Sequence, residues 1–120
     1  MAKIMVVEDN PGIGMVLQIA LSDEGHQVDL HKRADEGLSI MQSGSIPDLV
    51  LTDLNMSGMN GRDLIKKMRN DQHLRSIPAV IITGSIPSPE ILPKEHEFQG
   101  LLLKPFDIQD VVSTVAKLVS

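Results

Sequence analysis

Five residues that end apolar runs in this chain have side chains suited to phosphoryl chemistry. Glu8 and Asp9 follow the first run, Asp53 the third, Thr83 the fourth and Lys104 the fifth. Carboxylates about 5 Å apart repel by roughly 3 kcal/mol per pair at an effective dielectric of 20, so a cluster of these acids calls for a cation. Oxygen ligands without cysteine favour Mg²⁺. A carboxylate beside Mg²⁺ can attack phosphorus and form an acyl phosphate, while a hydroxyl and an ammonium donate to the phosphoryl oxygens.

Short apolar runs alternate with helical patterns along the chain, which predicts a parallel, doubly wound sheet. Most runs are continuously apolar, as in strands that are covered on both faces of a sheet. The second run alternates polar and apolar residues, so it is expected at an edge of the sheet. Ligands of such sheets bind beyond the carboxyl ends of the strands, which is where the five polar residues fall. The runs are 3–7, 28–30, 49–51, 79–82 and 101–103.

Apolar residues recur at helical spacing in four of the stretches between or after these runs. Gly25 and Gly44 suit the left-handed ends of the first two helices, and Asp107 is placed to cap the start of the last. Three prolines within residues 87–93 argue against a full helix between the fourth and fifth strands, so only a short turn or helix near 93–98 is expected. The four helical patterns are 13–21, 34–41, 64–68 and 108–118.

Composition narrows the class of protein. A chain of 120 residues with 42% hydrophobic residues predicts one globular domain with a single core. The net charge of -5 argues against binding to nucleic acid, and no apolar stretch approaches the roughly 20 residues of a membrane span. The absence of cysteine suits a reducing compartment, so a cytoplasmic location is expected. The four histidines show no ligand spacing and are expected at the surface.

An ordered set of acidic, hydroxyl and lysine residues resembles the response-regulator receiver family of two-component signalling. The resemblance covers essentially the whole chain and includes the loop at 53–61, so residues 1–120 are expected to form one receiver domain. It implies a flavodoxin-like (βα)5 fold, with a doubly wound five-stranded parallel sheet in the order 2-1-3-4-5 and a short or irregular fourth helix. It also implies a signalling phosphoacceptor that catalyses only its own phosphorylation and dephosphorylation. The set is Glu8-Asp9, Asp53, Thr83 and Lys104-Pro105-Phe106.

The resemblance assigns a role to each member of the set. Asp53 would accept the phosphoryl group from a histidine kinase or histidine phosphotransfer protein. Thr83 would supply the hydroxyl that follows the phosphoryl group, and Lys104 its lysine partner, with a cis bond to Pro105. Positions such as Asn55 tune how long the phosphoryl group lasts in this family, and Ser85 stands at a second position of that kind.

The same resemblance places a Mg²⁺ (or Mn²⁺) ion among four residues. Glu8 and Asp9 match the acidic pair that supports the ion, with Asp9 as the direct ligand. Asp53 contributes its own carboxylate, and Asn55 stands where the family supplies a backbone carbonyl.

Some positions depart from the family pattern. Ser57 replaces a proline, and Gly84 stands where alanine is commoner, which leaves more room at the pocket. Leu101 occupies a position that is often aromatic, and the proline-rich stretch replaces a regular fourth helix. Because the last two lie on the face that the family commonly uses for output and dimerisation, we expect retained phosphoryl chemistry, altered signal transmission, an unidentified output partner and a monomer or weak dimer.

Two alternatives stay open. A haloacid-dehalogenase-like phosphatase also uses an aspartyl nucleophile, but its second acid would fall at Asn55 and the chain has no room for a cap domain. A pseudo-receiver would keep the fold without the chemistry. Intact Asp9, Asp53 and Lys104 argue against that reading, whereas Leu101 and the prolines favour it.

Overall fold

The computed structural model describes residues 2–56, 58–84 and 92–120. Ser57, Ser85 and the prolines at 87 and 89, on which some expectations fell, lie outside these residues. The helices are α1 (Pro11–Asp23), α2 (Ala34–Gln42), α3 (Gly61–Arg69) and α4 (Ile108–Val119), with a short 3₁₀ helix, η1 (Glu95–Glu97). The strands are β1 (Lys3–Val7), β2 (Gln27–His31), β3 (Leu49–Asp53), β4 (Ala79–Thr83) and β5 (Gly100–Leu103).

The five strands form one parallel sheet in the order β2-β1-β3-β4-β5. This order and the alternation of strands with helices confirm the predicted doubly wound, flavodoxin-like fold. Every residue of β3 and β4 is buried, whereas β2 has no buried residue and lies at an edge, as its mixed sequence predicts. None of the described helices is long and apolar enough to cross a membrane.

Alternate residues of the central strands pack into two apolar layers, one on each face of the sheet. Ile4 and Val6 of β1 belong to the layer that also contains residues of α1 and α4. Met5 and Val7 of the same strand belong to the layer that contains residues of α2 and α3. Covering both faces fixes the register of β1 and β3, and with it the position of whatever residue follows each strand.

Side chains and glycines set the ends of the helices. Asp107 accepts a hydrogen bond from the backbone of Gln109 at 2.8 Å, which confirms the predicted cap. Asn10 and Asn60 cap α1 and α3 in the same way, and sequence reading did not identify either of them. Gly25 has a φ of 90° just past α1, where a left-handed residue lets the chain turn back into β2.

Two expectations concern the edges of the sheet, and the structure changes one of them. Between β4 and β5 the described residues contain only η1, which agrees with the short helix expected near 93–98, and Arg69 of α3 holds it by donating to the carbonyl of Glu97 at 2.9 Å. The expectation that every histidine lies at the surface is wrong for His31. Its side chain is only 12% exposed and lies 2.9 Å from Glu36, because the first turn of α2 packs beside the end of β2.

The burial of β3 predicts a large cost for shortening its side chains. Leu51 is 1% exposed, so Leu51→Ala should lower the free energy of unfolding by about 2–5 kcal/mol. Met15 is 59% exposed on α1, so Met15→Ala should change it by less than about 0.5 kcal/mol. Urea unfolding followed by circular dichroism measures both, and equal losses would contradict the described core.

Candidate functional site

The candidate site lies where β1, β3, β4 and β5 end on the same edge of the sheet. Strand pairing sets Asp53 opposite Ile82 and Thr83 opposite Leu103, so the residues that end or follow these strands stand at similar heights. Glu8 follows β1 and donates its backbone amide to the carbonyl of His31 at 2.9 Å, which continues the strand pairing by one residue. The topology therefore brings together residues that are up to 96 positions apart in the chain.

Three carboxylates form the centre of this site. One side-chain oxygen from each of Glu8, Asp9 and Asp53 lies within 4.8 Å of the other two. Glu8 is 2% exposed and Asp53 is 6% exposed, whereas Asp9 is exposed at the rim. Because charges in a partly buried site repel more strongly than in water, this cluster needs positive charge nearby.

Lys104 supplies positive charge from the end of β5. Its ammonium nitrogen lies 2.8 Å from Oδ2 of Asp53 and 2.8 Å from Oε1 of Glu8. The backbone amide of Lys104 donates to the carbonyl of Thr83 at 2.7 Å, and the Lys104–Pro105 peptide bond is cis. The lysine therefore links the ends of β1, β3 and β4 through side-chain and main-chain contacts.

The surroundings shift two pKa values within the cluster. Burial raises the pKa of the Glu8 carboxyl above its usual value of 4.5, and the contacts with Lys104 and with the amide of Asn10 offset only part of this rise. Burial alone would lower the pKa of Lys104, but its bonds to Asp53 and Glu8 outweigh that effect and raise the pKa above 10.5. These contacts therefore favour the charged form of Lys104, whereas burial disfavours the ionised form of the Glu8 carboxyl.

The donor set fits a hard divalent cation. Within the part of the chain that the structure describes, the three carboxylates are accompanied by the ammonium group of Lys104, and carboxylate oxygens are the ligands that Mg²⁺ or Mn²⁺ takes in proteins. Among the described residues, the buried Oε1 of Glu8 also lacks a well-directed hydrogen-bond donor, although Lys104 lies within ion-pair distance of it. An oxygen that is buried and incompletely satisfied is suited to a further positive partner.

The remaining predicted residues lie around this cluster. Asn55 donates its backbone amide to Oδ1 of Asp53 at 3.1 Å. Thr83 is fully buried at the end of β4, where its carbonyl accepts from Lys104. Gly84 is exposed, and among the described residues a methyl group added there would meet only the side chain of Lys104, at 4.0 Å. Leu101 is 40% exposed on β5 and lies outside the cluster.

Gly61 is a further requirement of the site. A Cβ atom at this position would collide with the backbone carbonyl of Asp53, so only glycine allows the start of α3 to approach the end of β3. The amide of Gly61 also donates to the carbonyl of Leu54 at 3.1 Å, which closes the base of the loop that follows β3. In the sequence, this requirement is indicated by the position of Gly61 just before the third helical pattern.

Comparison with known proteins gives a consistent result. A family model described as the response regulator receiver domain matches residues 4–116. The chain is 28% identical over 116 residues to Protein PilH of Pseudomonas aeruginosa, covering 96% of this chain and 95% of that protein. It is 32% identical over 108 residues to Chemotaxis protein CheY-3 of Vibrio cholerae, covering 87% and 81%. Other curated relatives are longer, and the chain spans 12% to 52% of their length.

A solved structure shows the same similarity in three dimensions. The chemotaxis response regulator CheY4 of Vibrio cholerae superposes with a TM-score of 0.84 at 28% sequence identity, covering 98% of each chain.

The carboxylate cluster predicts stabilisation by Mg²⁺. A saturating concentration of MgCl₂, about 100 times the dissociation constant, should stabilise the fold by about 2.7 kcal/mol, because the ion binds the assembled cluster and not the unfolded chain. Asp9→Asn should remove most of this gain, while Asp23→Asn, at an exposed position on α1, should retain it. Melting temperatures with and without MgCl₂ measure the effect, and an unchanged gain in Asp9→Asn would contradict the assignment.

The raised pKa of Glu8 predicts a pH dependence of stability. The folded state holds this proton to a higher pH than the unfolded state does, so the contribution of Glu8 to the free energy of unfolding falls as the pH rises through and above 4.5. Glu8→Gln cannot lose a proton, so its stability relative to the native chain should increase between pH 4 and pH 7. Urea unfolding at both pH values tests this.

The matched control for this pH dependence is Glu95→Gln, which removes an exposed carboxylate of η1. A relative stability of Glu8→Gln that stayed constant or fell with rising pH would contradict the described burial.

Proposed function

The chain belongs to the response regulator receiver domain family of two-component signal transduction, and from this membership we propose that Asp53 is the residue that accepts the phosphoryl group. The observation that carries the proposal is the contact of 2.8 Å between the Lys104 ammonium and Oδ2 of Asp53 at the carboxyl edge of the sheet. A nearly buried carboxylate with a cation beside it can act as a nucleophile, because the cation offsets part of the negative charge of the product. Members of this family are signalling phosphoacceptors rather than ordinary enzymes.

The proposed step transfers a phosphoryl group from a phosphohistidine to Asp53. A carboxylate oxygen of Asp53 attacks phosphorus, the phosphorus–nitrogen bond breaks, and its electron pair returns to the imidazole. The product is an acyl phosphate on Asp53 and a histidine that is protonated from solvent. The donor in this proposal is a histidine kinase or a histidine phosphotransfer protein.

The side chains around Asp53 have separate tasks in this step. Lys104 offsets negative charge at the phosphoryl oxygens, and its raised pKa keeps it protonated at neutral pH. The amide of Asn55 fixes Oδ1 of Asp53, so the carboxylate keeps one orientation. Glu8, Asp9, Asp53 and the backbone carbonyl of Asn55 would hold the divalent cation. When bound, Mg²⁺ supplies additional neutralisation of charge on the transferred group.

Signal output is proposed to start at Thr83. Phosphorylation adds a charge of about -1.5 to -2 at the pocket. In this proposal the Thr83 hydroxyl and Lys104 move towards that charge, and because Lys104 is bonded to the Thr83 carbonyl, the ends of β4 and β5 respond together. In this proposal the response shifts a pre-existing conformational equilibrium of the receiver domain.

The face around β5 is proposed to transmit the signal in an altered manner. Leu101 offers no hydroxyl or ring that could follow Thr83, and the side chains of Leu101 and Leu103 are 40% and 45% exposed. We propose a monomer or weak dimer that acts in the cytoplasm, with residues 1–120 as one receiver domain. Its output partner is not identified by these residues.

Phosphorylation by a small donor tests the proposal. Incubation with acetyl phosphate and Mg²⁺ should add one phosphoryl group to the chain, and intact-mass spectrometry measures the adduct. Asp53→Asn should show no adduct, because the amide is not nucleophilic. Lys104→Met should lower the extent of labelling, because product charge is then less compensated.

Lys117→Met is the matched control for the lysine, since Lys117 lies in the last turn of α4. Full labelling of Asp53→Asn would overturn the assignment of the phosphoacceptor.

A further inference from the structure

We propose that Arg33 and Asp35 form a clasp that holds the β3–α3 loop in position beside Asp53, which makes Arg33 a positioning residue for the cation and the phosphoryl group. The β3–α3 loop is described here by residues 54–56 and 58–60. This inference rests on the proposed function of Asp53, and it assigns a role to a residue that belongs to none of the sequence motifs described above.

The guanidinium of Arg33 lies directly against the backbone of Gly58. A Cβ atom added to Gly58 would be 2.6 Å from Nη2 and 3.3 Å from Cζ of Arg33, so a side chain at this position would displace the guanidinium. Gly58 also has a φ of 78°, a conformation that residues with a Cβ rarely adopt. The loop therefore turns at a glycine whose open face is covered by the arginine.

Asp35 holds this guanidinium in place. Its Oδ1 accepts from Nε of Arg33 at 3.0 Å, and its Oδ2 accepts from Nη2 at 3.1 Å. Two parallel bonds fix the plane of a guanidinium as well as its position. The bond to Arg33 also lowers the pKa of the Asp35 carboxyl, so the pair is ionised at neutral pH.

The start of α2 places Arg33 where its side chain can reach the loop after β3. Arg33 occupies the N-cap position of α2, where serine, threonine, asparagine and aspartate are preferred, and it makes no side-chain capping bond. Its side chain reaches instead to the loop after β3. Both side chains of the clasp are 50% exposed, and such pairs add little to global stability. The effect of the clasp is therefore expected on the loop and not on the melting temperature.

The loop transmits the position of Gly58 to the reacting carboxylate. Asn55 lies three residues before Gly58 and donates its amide to Oδ1 of Asp53. At its other end the loop is closed by the bond from Gly61 to Leu54 and by the contact of Gly61 with the Asp53 carbonyl. The loop is therefore held at Asp53 on one side and at Leu54 on the other, and Arg33 contacts it between these two points, at Gly58.

Three substitutions test the clasp, with Arg75→Ala as the matched control because Arg75 is exposed and its loss removes the same charge. Arg33→Ala should raise amide hydrogen exchange in residues 54–61 without Mg²⁺ and weaken Mg²⁺ binding about tenfold, the low end for losing a group that supports a metal ligand. Arg33→Lys and Asp35→Asn should fall between native chain and Arg33→Ala, since each keeps part of the contact. Melting temperatures should stay close to that of the native chain.

A double substitution tests the contact itself. In the native background, Gly58→Ala places a Cβ atom on a residue with a positive φ and also brings that atom against the Arg33 guanidinium. In the Arg33→Ala background, only the backbone strain remains. The loss of Mg²⁺ affinity caused by Gly58→Ala should therefore be smaller in the Arg33→Ala background. Equal losses in the two backgrounds, or an Arg33→Ala chain that matches Arg75→Ala in both exchange and Mg²⁺ binding, would overturn the proposal.

These measurements are separate from the test of the phosphoacceptor. Hydrogen exchange and Mg²⁺ binding are measured without a phosphoryl donor, so a failure of Asp53 to accept a phosphoryl group would leave their outcomes unaffected. Conversely, normal labelling of Asp53 together with unchanged loop exchange in Arg33→Ala would contradict the proposed clasp and leave the assignment of the phosphoacceptor intact.

Discussion

The ammonium of Lys104 lies 2.8 Å from a carboxylate oxygen of Asp53 and 2.8 Å from one of Glu8, and both acids are nearly buried. Two buried carboxylates this close together would destabilise the fold if no cation accompanied them. The contact therefore constrains the ends of three strands at once, because β5 must deliver the lysine to the point where β1 and β3 deliver the acids. The fold can be understood as a parallel sheet whose order and register allow this contact.

Much of this arrangement could be predicted because it follows from short-range rules. Continuous apolar runs separated by helical patterns indicate a parallel sheet, and the polar residue after each run then falls at one edge, so Asp53 and Lys104 are expected together despite 51 positions between them. Gly25 and Asp107 identify helix ends from local chemistry alone. Family resemblance adds the strand order and the roles of the site residues, and the comparisons bear out the fold.

Other features could not be predicted because they depend on packing between distant elements. His31 is nearly buried because α2 begins beside the end of β2, and its sequence neighbours do not show this. Gly61 is required by the carbonyl of Asp53, and Gly58 is covered by Arg33 from another part of the chain. A sequence pattern shows that a glycine can adopt unusual backbone conformations. Only the assembled structure shows which neighbouring atoms occupy the position that a Cβ atom would take.

The central claim is that this cluster directs a phosphoryl group to one carboxylate, and borohydride reduction tests it most directly. After incubation with acetyl phosphate and Mg²⁺, reduction converts an aspartyl phosphate to homoserine, and peptide mass spectrometry locates the reduced residue. The account predicts homoserine at position 53 in native chain and a large decrease without Mg²⁺. Homoserine at position 9, or at several acidic positions in equal amounts, would contradict it.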